Sequence, residues 1–457
     1  MKKIYIIGAL SLLFSACKPS INLTKPGSPG TANFTNYLAI GNSLTAGYAD
    51  NSLYLSGQLN SYPQRLFEQF QLVGCRGPFI QPLLSSDYGF SSAKLVLGTI
   101  YHPCTLDSSV GPIPDPNYTV NIADVGYNAT TNNGQINNIG VPGIRVVDYP
   151  VAGYANPAYP IYNQFAARFY RNLSGSPMDE LSFMVHNLHP TVITLWLGAN
   201  DVLGFATAGG IGNGGGNAMP LFRNLYSPND ISPDSVFEII YDSLLNVAIS
   251  TGKVSGALIN IPNITAIPLF NTVPPNGLIL TRQGQVDSLT ALYPGPNYSF
   301  SVGANYFVVQ AHDGTTKQAV PGELILLTVP QDSLTCAGWG SIKPIPNNYV
   351  LTTEEIQNIK TATTTFNSFI QHEATLHHLA YVDMYSYLGT LSSGITFNGV
   401  NYNAQFVTGG AFSLDGVHLT QRGYAIVANK IITDINNFYG STIPMIDVNK
   451  YRGVQFP

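Results

Sequence analysis

Short and almost continuously apolar runs alternate along the chain with segments whose apolar residues recur at helical spacing. Four of these runs predict strands: 37–40 (YLAI), 191–197 (TVITLWL), 254–261 (VSGALINI) and 379–384 (LAYVDM). Few polar residues interrupt them, which is typical of strands that are covered on both faces. Strands of this kind separated by helices predict an α/β fold.

Three predicted helices carry capping signals. Ser232 with Pro233 precedes the first, Thr352 with Glu355 forms a capping box before the second, and Thr420 precedes the third. Glycines end two of them, at Gly252 and Gly440. In the first helix, spacing predicts one shared face for Val236, Ile239, Ile240, Leu244 and Val247.

The first residues predict an export signal. A cationic start (MKK) precedes the apolar segment 4–14, and Ser15 and Ala16 lead into Cys17. This segment of eleven residues is too short for a membrane-spanning helix, which takes about 20 apolar residues. The pattern resembles a bacterial lipoprotein signal, which implies that Cys17 is acylated, with palmitate-type chains, after removal of residues 1–16. An ordinary secretory peptide with an unmodified cysteine is the alternative.

Composition changes along the chain predict its organisation. Residues 17–33 are rich in Pro, Gly and Ser and predict a flexible tether, lipid-anchored at its start. The domain is expected at 34–440, followed by a tail at 441–457. Gly, Pro, Asn and Tyr are abundant at 76–135 and 266–350, which we interpret as large loop or β insertions, the second as a β-rich elaboration of the core.

The overall composition narrows the class of protein. The chain has 457 residues, of which 45% are hydrophobic and only 10% charged, against a usual charged share of about a quarter. With 44 glycines, 31 prolines and 27 tyrosines, this composition suits a loop-rich exported protein. The net charge of −5 and the lack of Lys/Arg clusters argue against nucleic acid as a partner.

Three cysteines remain if Cys17 carries lipid, and an exported compartment permits disulfides. Cys75 and Cys104 are the favoured pair because they share one loop-rich region, which would leave Cys336 free, although sequence does not fix the pairing. No Cys/His spacing resembles a zinc site. We expect the histidine pairs at 186/189 and 377/378 to be structural, since they form no metal-like pattern with acidic residues, and we expect no metal or organic cofactor.

Polar residues with complementary chemistry follow the predicted strands. Ser43 follows the first, Asn200 and Asp201 follow the second, and Asp415 stands three residues before His418. Taken singly, each is an ordinary turn or capping residue. Ligand sites in α/β sheets lie at the carboxyl ends of strands, where these residues could converge. A serine, a histidine with a carboxylate and an amide donor are the parts that acyl transfer needs.

Four short blocks give the chain a family resemblance. GNSLTAG (41–47), NNIGVPG (137–143), LGAND (197–201) and DGVH (415–418) are similar, in the same order, to the conserved blocks of SGNH/GDSL hydrolases. The resemblance implies a three-layer α/β/α sandwich with a mostly parallel central sheet, and a serine esterase or lipase activity. The G-x-S-x-G elbow of α/β-hydrolases is absent from the sequence.

The resemblance also assigns roles to single residues. Ser43 would be the nucleophile, His418 the general base and Asp415 its orienting acid. The oxyanion hole would use the backbone N–H groups of Ser43 and Gly143 and the side chain of Asn200, with Gly140 serving the turn. The family usually has aspartate before its serine, whereas this chain has Asn42, which keeps the shape and loses the charge.

Together these features predict an envelope-attached, monomeric ester hydrolase, lipid-anchored to a bacterial membrane, which we expect to be the outer membrane. Its substrates would be short-chain, acetylated carbohydrate or lipid esters; the sequence leaves the choice, and the membrane face, open. Tyrosines in the insertions could line a carbohydrate cleft or pack among themselves. The alternative function is a non-catalytic surface lipoprotein that uses the same fold to bind glycans or to adhere.

Overall fold

The structure is a computed structural model that describes residues 27–119, 134–212 and 227–457. The expected signal segment and the acylated Cys17 lie outside these residues. Within the described ranges, none of the helices has both the length and the apolar content that a membrane span requires.

The secondary structure alternates throughout these ranges. The strands are β1 (Tyr37–Gly41), β2 (Leu95–His102), β3 (Asp107–Pro114), β4 (Asn138–Gly140), β5 (Val192–Trp196), β6 (Ser255–Ile259), β7 (Leu278–Leu280), β8 (Gly303–Asn305), β9 (Val308–Gln310), β10 (Thr316–Gln318), β11 (Leu324–Ile325), β12 (Val350–Leu351), β13 (Ala380–Val382), β14 (Ile395–Phe397) and β15 (Val400–Tyr402). The helices are α1 (Ser43–Ala46), α2 (Leu55–Leu59), α3 (Tyr62–Gln71), α4 (Gln164–Ala167), α5 (Pro177–Leu188), α6 (Asn200–Thr207), α7 (Asp234–Ala248), α8 (Pro268–Asn271), α9 (Gln283–Leu292), α10 (Gln331–Thr335), α11 (Thr353–Leu376), α12 (Met384–Gly389) and α13 (Gln421–Tyr439).

A five-stranded parallel sheet forms the centre, in the order β13-β6-β5-β1-β4. Every residue of β1, β5 and β6 is buried. Because successive side chains of a strand point to opposite faces, helices must cover both faces of the sheet. One helix group includes α3 and α13, and the other includes α5, α7 and α11. The expected α/β architecture around a parallel sheet is therefore confirmed.

Four of the sheet strands coincide with the apolar runs predicted from sequence, and β4 is the one that the pattern did not predict. It has only three residues and begins with a polar one, Asn138, which leaves too short an apolar run to recognise. The register pairs Gly41 at the end of β1 with Trp196 of β5 and with Gly140 of β4. Three strands therefore end level with one another, and the residues after them share one edge of the sheet.

The predicted capping box before α11 is present. Thr352 Oγ1 accepts a hydrogen bond from the Glu355 N–H, and the Thr352 N–H donates to the Glu355 carboxylate. Thr420 caps α13 as predicted, and Gly440 ends that helix with φ of +65°. These ends are correctly predicted because side-chain capping depends on residues close in sequence.

The first helix, α7, differs from its prediction. Ser232 does not cap it, since its hydroxyl donates to Asp201 Oδ1 at 2.7 Å, and the helix begins after Pro233. Ile239 is exposed, and the buried positions are Phe237, Tyr241, Leu244, Leu245 and Ala248. The buried face is set by aromatic packing against α11, where the rings of Phe237 and Phe366 stack with centroids 4.0 Å apart.

The two expected insertions contain antiparallel strand pairs. Within 76–135, β2 and β3 form a hairpin. Within 266–350, β7 pairs with β8, β9 with β10, and β11 with β12. A small second cluster of buried residues, including Val309 and Ile345, lies in this region, and neighbouring Leu326 belongs to the main core.

The expected disulfide pairing is wrong. Cys104 bonds to Cys336, with their Cα atoms 5.6 Å apart, whereas Cys75 is free and buried. Cys75 belongs to the main core beside β1, while Cys104 lies at the tip of the β2–β3 hairpin. The bond therefore ties the first insertion to the second, which sequence separation alone does not reveal. His102 Nδ1 and Asp332 Oδ1, 2.9 Å apart, join the same two regions.

The packed body extends beyond the expected limits of 34 and 440. In the described end of the expected tether, the Thr31 N–H donates to the Tyr439 carbonyl at 2.9 Å, and Ala32 is buried. After α13, Ile443 and Ile446 are buried, so the chain on both sides of the core packs against the end of this helix.

Candidate active site

Ser43 lies immediately beyond the carboxyl end of β1, at the first position of α1. Asn42 caps this short helix, because its Oδ1 accepts a hydrogen bond from the Leu44 N–H at 3.1 Å. Gly47 closes the turn with φ of +81°. The sharp strand-to-helix turn holds the Ser43 hydroxyl at the edge of the sheet, and Asn42 serves the turn through an oxygen that aspartate also has.

Ser43, His418 and Asp415 form a continuous hydrogen-bonded chain. His418 Nε2 lies 2.8 Å from Ser43 Oγ, and His418 Nδ1 lies 2.9 Å from Asp415 Oδ2. A carboxylate only accepts, so Nδ1 carries the proton and Nε2 is free to accept from the serine hydroxyl. The structure thus brings together three predicted site residues from opposite ends of the chain, with roles that match a nucleophile, a base and an orienting acid.

Asp415 is surrounded by donors. Its two oxygens accept from the backbone N–H groups of Asn51, Val417 and His418, from the Ser413 hydroxyl and from His418 Nδ1. Burial alone would raise the pKa of Asp415, but the His418 ring and these hydrogen bonds together hold it well below its usual range. The carboxylate therefore stays ionised wherever the protein is folded at ordinary pH, and it can fix the imidazole.

The three predicted oxyanion donors are available at the same edge. The N–H groups of Ser43 and Gly143 have no hydrogen-bond partner within the part of the chain that the structure describes. Asn200, the first residue of α6, donates one amide hydrogen to the Ile144 carbonyl at 2.9 Å. Since Ile144 follows Gly143, this bond holds the Asn200 amide beside the Gly143 turn and leaves its second hydrogen free to donate.

Gly140 and Gly143 are glycines for different reasons. A Cβ at Gly140 would lie 2.4 Å from the Ala46 nitrogen of α1, and the Gly140 N–H already donates to Asn138 Oδ1. Gly143 has φ of +80°, and a Cβ there would meet Asn163 Nδ2 at an ordinary contact distance of 3.8 Å. Close helix packing therefore requires the first glycine, and a left-handed turn favours the second. This agrees with the choice of Gly143 as the oxyanion residue.

Sequence reasoning missed a clamp on Asp415, formed by Asp50, Asn51 and Ser413. The Asp50 N–H donates to Ser413 Oγ at 3.0 Å, Asp50 Oδ1 accepts from the Leu414 N–H at 3.0 Å, and the Asn51 N–H reaches Asp415. Asp50 and Asn51 both have positive φ, +50° and +59°, which Asp and Asn tolerate better than other side-chain-bearing residues. The only sequence signal was the Asp-Asn pair itself, which reads as an ordinary turn.

An aromatic side chain covers one side of the base. The ring of Tyr48 lies 4.7 Å from the His418 ring, centroid to centroid, and the Tyr424 hydroxyl donates to the Tyr48 carbonyl at 2.6 Å. These contacts restrict rotation of the imidazole away from Ser43. Like the clamp, they join residues far apart in sequence.

Asp201, next to Asn200, is buried and serves the loop rather than the reacting centre. Its Oδ2 accepts from the Val146 N–H at 2.9 Å, and its Oδ1 accepts from Ser232. Burial raises its pKa to about 6, with opposing contributions from these hydrogen bonds and from Arg145. Asp201 thereby holds the 143–146 turn against α6, which fixes the distance between Gly143 and Asn200.

Two comparisons of the chain with known proteins found no match. The chain matches no protein-family model and no curated protein.

Proposed function

We propose that this chain is a serine ester hydrolase of the SGNH/GDSL type, acting through an acyl-enzyme on Ser43. The observation that carries the proposal is the hydrogen-bonded chain from Ser43 Oγ to His418 Nε2 and from His418 Nδ1 to Asp415. The four sequence blocks and the open N–H groups at the same sheet edge support it. No metal or organic cofactor is needed for this chemistry.

The first half-reaction forms the acyl-enzyme. Ser43 Oγ attacks the acyl carbon while its proton moves to His418 Nε2, and the carbonyl oxygen becomes an oxyanion. The N–H groups of Ser43 and Gly143 and the Asn200 amide donate to that oxygen. His418 then gives the proton to the departing alcohol oxygen as the ester bond breaks.

The second half-reaction releases the acid. Water takes the place of the alcohol, gives a proton to His418 Nε2 and attacks the acyl carbon. Collapse of the second oxyanion returns that proton to Ser43 Oγ. In both steps the ionised Asp415 stabilises the imidazolium, which is why its abundance of donors matters.

The substrate proposal rests on access to the site. Ser43 is only 8% exposed and the His418 side chain 15%, which suits a small acyl group. The adjoining loop offers aromatic surface: Tyr159 and Tyr162 are exposed, and Asn163 Nδ2 donates to the Pro142 carbonyl beside Gly143. A short acyl ester, such as acetyl, on a carbohydrate that stacks on these rings fits this arrangement.

The remaining proposals on location and partners follow the sequence. Acylation at Cys17 would attach the enzyme to a bacterial envelope membrane, most simply the outer membrane, with the domain facing ester substrates at that surface. Two or more acyl chains would make this attachment stable, because each buried methylene contributes about 0.8 kcal/mol.

An acyl-chain series tests the activity. We would measure release of 4-nitrophenol from its acetate, butyrate and octanoate esters by wild type, Ser43→Ala and Ser243→Ala. Ser243 is an exposed serine on α7 whose hydroxyl donates to the Ile239 carbonyl of its own helix, so it is the matched control. We expect turnover fastest on acetate, loss of roughly a thousandfold or more in Ser43→Ala, and no change in Ser243→Ala.

The competing function, a glycan-binding module without catalysis, makes the opposite prediction. Wild type and Ser43→Ala would then be equally inactive on all three esters and would bind glycans equally well. The aligned serine, histidine and carboxylate would have no purpose in that case, and no contact in the described residues specifically favours it.

A further inference from the structure

A second cluster with the chemistry of a cation site lies on the opposite edge of the sheet from Ser43. Asp242 on α7, Glu373 in the last turn of α11 and His377 just after α11 each offer a ligand atom, and these atoms all lie within 4.8 Å of one another. β13 starts at Ala380, shortly after His377. Because the sheet is parallel and Ser43 follows a strand's carboxyl end, this cluster belongs to the amino-terminal edge.

Glu373 is a buried carboxylate that forms an ion pair with His377 without an aligned hydrogen bond. Its side chain is 4% exposed, yet its Oε2 has no hydrogen-bond partner among the described residues. A buried carboxylate oxygen without a donor is strongly unfavourable unless a cation or a proton compensates it. Asp242 brings a second carboxylate to the same place, which increases the need for positive charge.

His377 Nε2 is the atom nearest to that oxygen, at 3.3 Å. Neither atom makes a hydrogen bond in the described structure, so the ring N–H is not aligned with the carboxylate. Zinc binds nitrogen and oxygen at about 2.0–2.2 Å, and at a tetrahedral angle two such ligands lie about 3.4 Å apart. The separation of these atoms therefore fits two ligands of one ion as well as a direct ion pair.

The geometry points to a binding site for a divalent cation of the zinc type, formed by Asp242, Glu373 and His377, that fastens α7 to the end of α11. Glu373 and His377 face the same side because they are four residues apart on a helical turn. Asp242 is half-buried, and rotation of its side chain completes the set, with water as a fourth ligand. The ion offsets the two carboxylate charges and accepts the Nε2 lone pair once that nitrogen is deprotonated.

The distance in sequence between Asp242 and the Glu373–His377 pair is one reason why the site was not predicted. Asp242 precedes Glu373 by more than a hundred residues, and only the packing of α7 against α11 joins them. The expectation that the 377/378 pair is structural overlooked Glu373, four residues before His377, and could not include Asp242 on the facing helix. The site lies apart from the proposed catalytic residues, so its test is independent of ester hydrolysis.

The experiment uses the full chain, stripped with EDTA and exchanged into metal-free buffer. Zn²⁺ alone is titrated by calorimetry, thermal unfolding is followed with and without it, and Co²⁺ is added separately to record its visible absorption. We expect one Zn²⁺ per chain, a rise in Tm of several degrees at saturating Zn²⁺, and a cobalt spectrum of tetrahedral coordination. Ester hydrolysis should be the same in stripped and loaded protein.

Variants distinguish this site from adventitious zinc binding. Asp242→Asn and His377→Gln alter partly exposed ligands, so both should fold, and each should lower Zn²⁺ affinity at least tenfold. Asp332→Asn is the matched control, since it removes a different histidine–carboxylate pair, that of Asp332 with His102, and should leave affinity unchanged. The proposal is overturned if stripped wild type binds no Zn²⁺, or if Asp242→Asn and His377→Gln bind it as wild type does.

Discussion

Two buried carboxylates near the same edge of the sheet, Asp415 and Asp201, have opposite electrostatic character. Asp415 accepts five hydrogen bonds and faces His418. Asp201 accepts two, one from Val146 and one from Ser232, and the neighbouring carboxylate of Asp148 opposes its ionisation. The pKa of Asp415 is lowered and that of Asp201 is raised to about 6.

The difference shows that burial alone does not decide the charge of an acid. Burial is the largest influence at both positions and raises both pKa values; the neighbouring charges, above all the His418 ring beside Asp415, and the hydrogen-bond donors decide the outcome. A carboxylate that must stabilise an imidazolium needs a permanent charge; at Asp415 the facing His418 ring lowers the pKa most, and hydrogen bonds from His418 and from the Asn51 N–H add to it. A carboxylate that only holds a loop can lose its charge and keep its hydrogen bonds.

The largest expected effect comes from removing the charge at Asp415. Asp415→Asn should lower kcat for an acetate ester by about a thousandfold or more, because an amide no longer fixes the reactive tautomer of His418. Asp201→Asn, the matched change at the other acid, should lower it less than threefold. Steady-state kinetics on both variants provides the measurement, and equal losses in the two would contradict the distinction drawn between them.

The next largest expected effect on kcat comes from removing the side-chain amide of Asn200, which Asp201 helps to position. Asn200→Ala should lower kcat by about a hundredfold to a thousandfold, equivalent to about 3–4 kcal/mol in the barrier, because one oxyanion donor is lost. KM should change little, since that donor acts mainly in the transition state. A variant with unchanged kcat would show that Asn200 does not contact the reacting oxygen.

Stability against pH tests the raised pKa of Asp201. Between its ordinary value of about 3.9 and its folded value of about 6, the unfolded chain has released a proton that the folded protein retains. This contribution to the free energy of unfolding is therefore complete below pH 4 and is lost as pH rises through 6, by up to about 3 kcal/mol. Relative to Asp201→Asn, wild type should lose stability over that range in denaturant titrations; parallel curves would contradict the shift.

The smallest expected effect on the rate belongs to Asn42→Asp. Aspartate and asparagine are about equally good helix N-caps, so the change in the free energy of unfolding should be limited to the cost of placing a carboxylate at a buried position, about 1–3 kcal/mol. The rate should stay within about threefold, because the contact in the structure is the side-chain oxygen to the Leu44 N–H, which both residues can make. Thermal melts and kinetics of the variant give the measurement. A large gain in rate would show that the charge has a role of its own.

Local sequence signals predicted much of the fold. The apolar runs predicted four central strands, and the caps at Thr352 and Thr420 predicted the starts of α11 and α13, because each signal lies within a few residues. The buried face of α7, the pairing of Cys104 with Cys336 and the three-residue strand β4 depended on tertiary packing and were missed or wrongly predicted.

The residues of the candidate site divide in the same way, into those that local sequence predicts and those that only tertiary packing reveals. Ser43, Asp415 and His418 could be named because each lies in a short recognisable block, and the structure brings all three together. The clamp consists of hydrogen bonds from Asp50 and Asn51 to Ser413 and Asp415, some 360 residues later in the chain. Nothing in a single sequence marks it. The groups with reactive chemistry were thus visible in the sequence, whereas those that hold them in place were not.

The most direct test of the central claim is whether Ser43 is activated. A fluorophosphonate reacts with an activated serine by forming an Oγ–P bond as fluoride leaves, and intact-mass spectrometry of the full chain detects the adduct. We predict one adduct on wild type and on Asp201→Asn, and none on Ser43→Ala. A folded wild-type protein that forms no adduct, or one whose adduct persists in Ser43→Ala, would contradict the account.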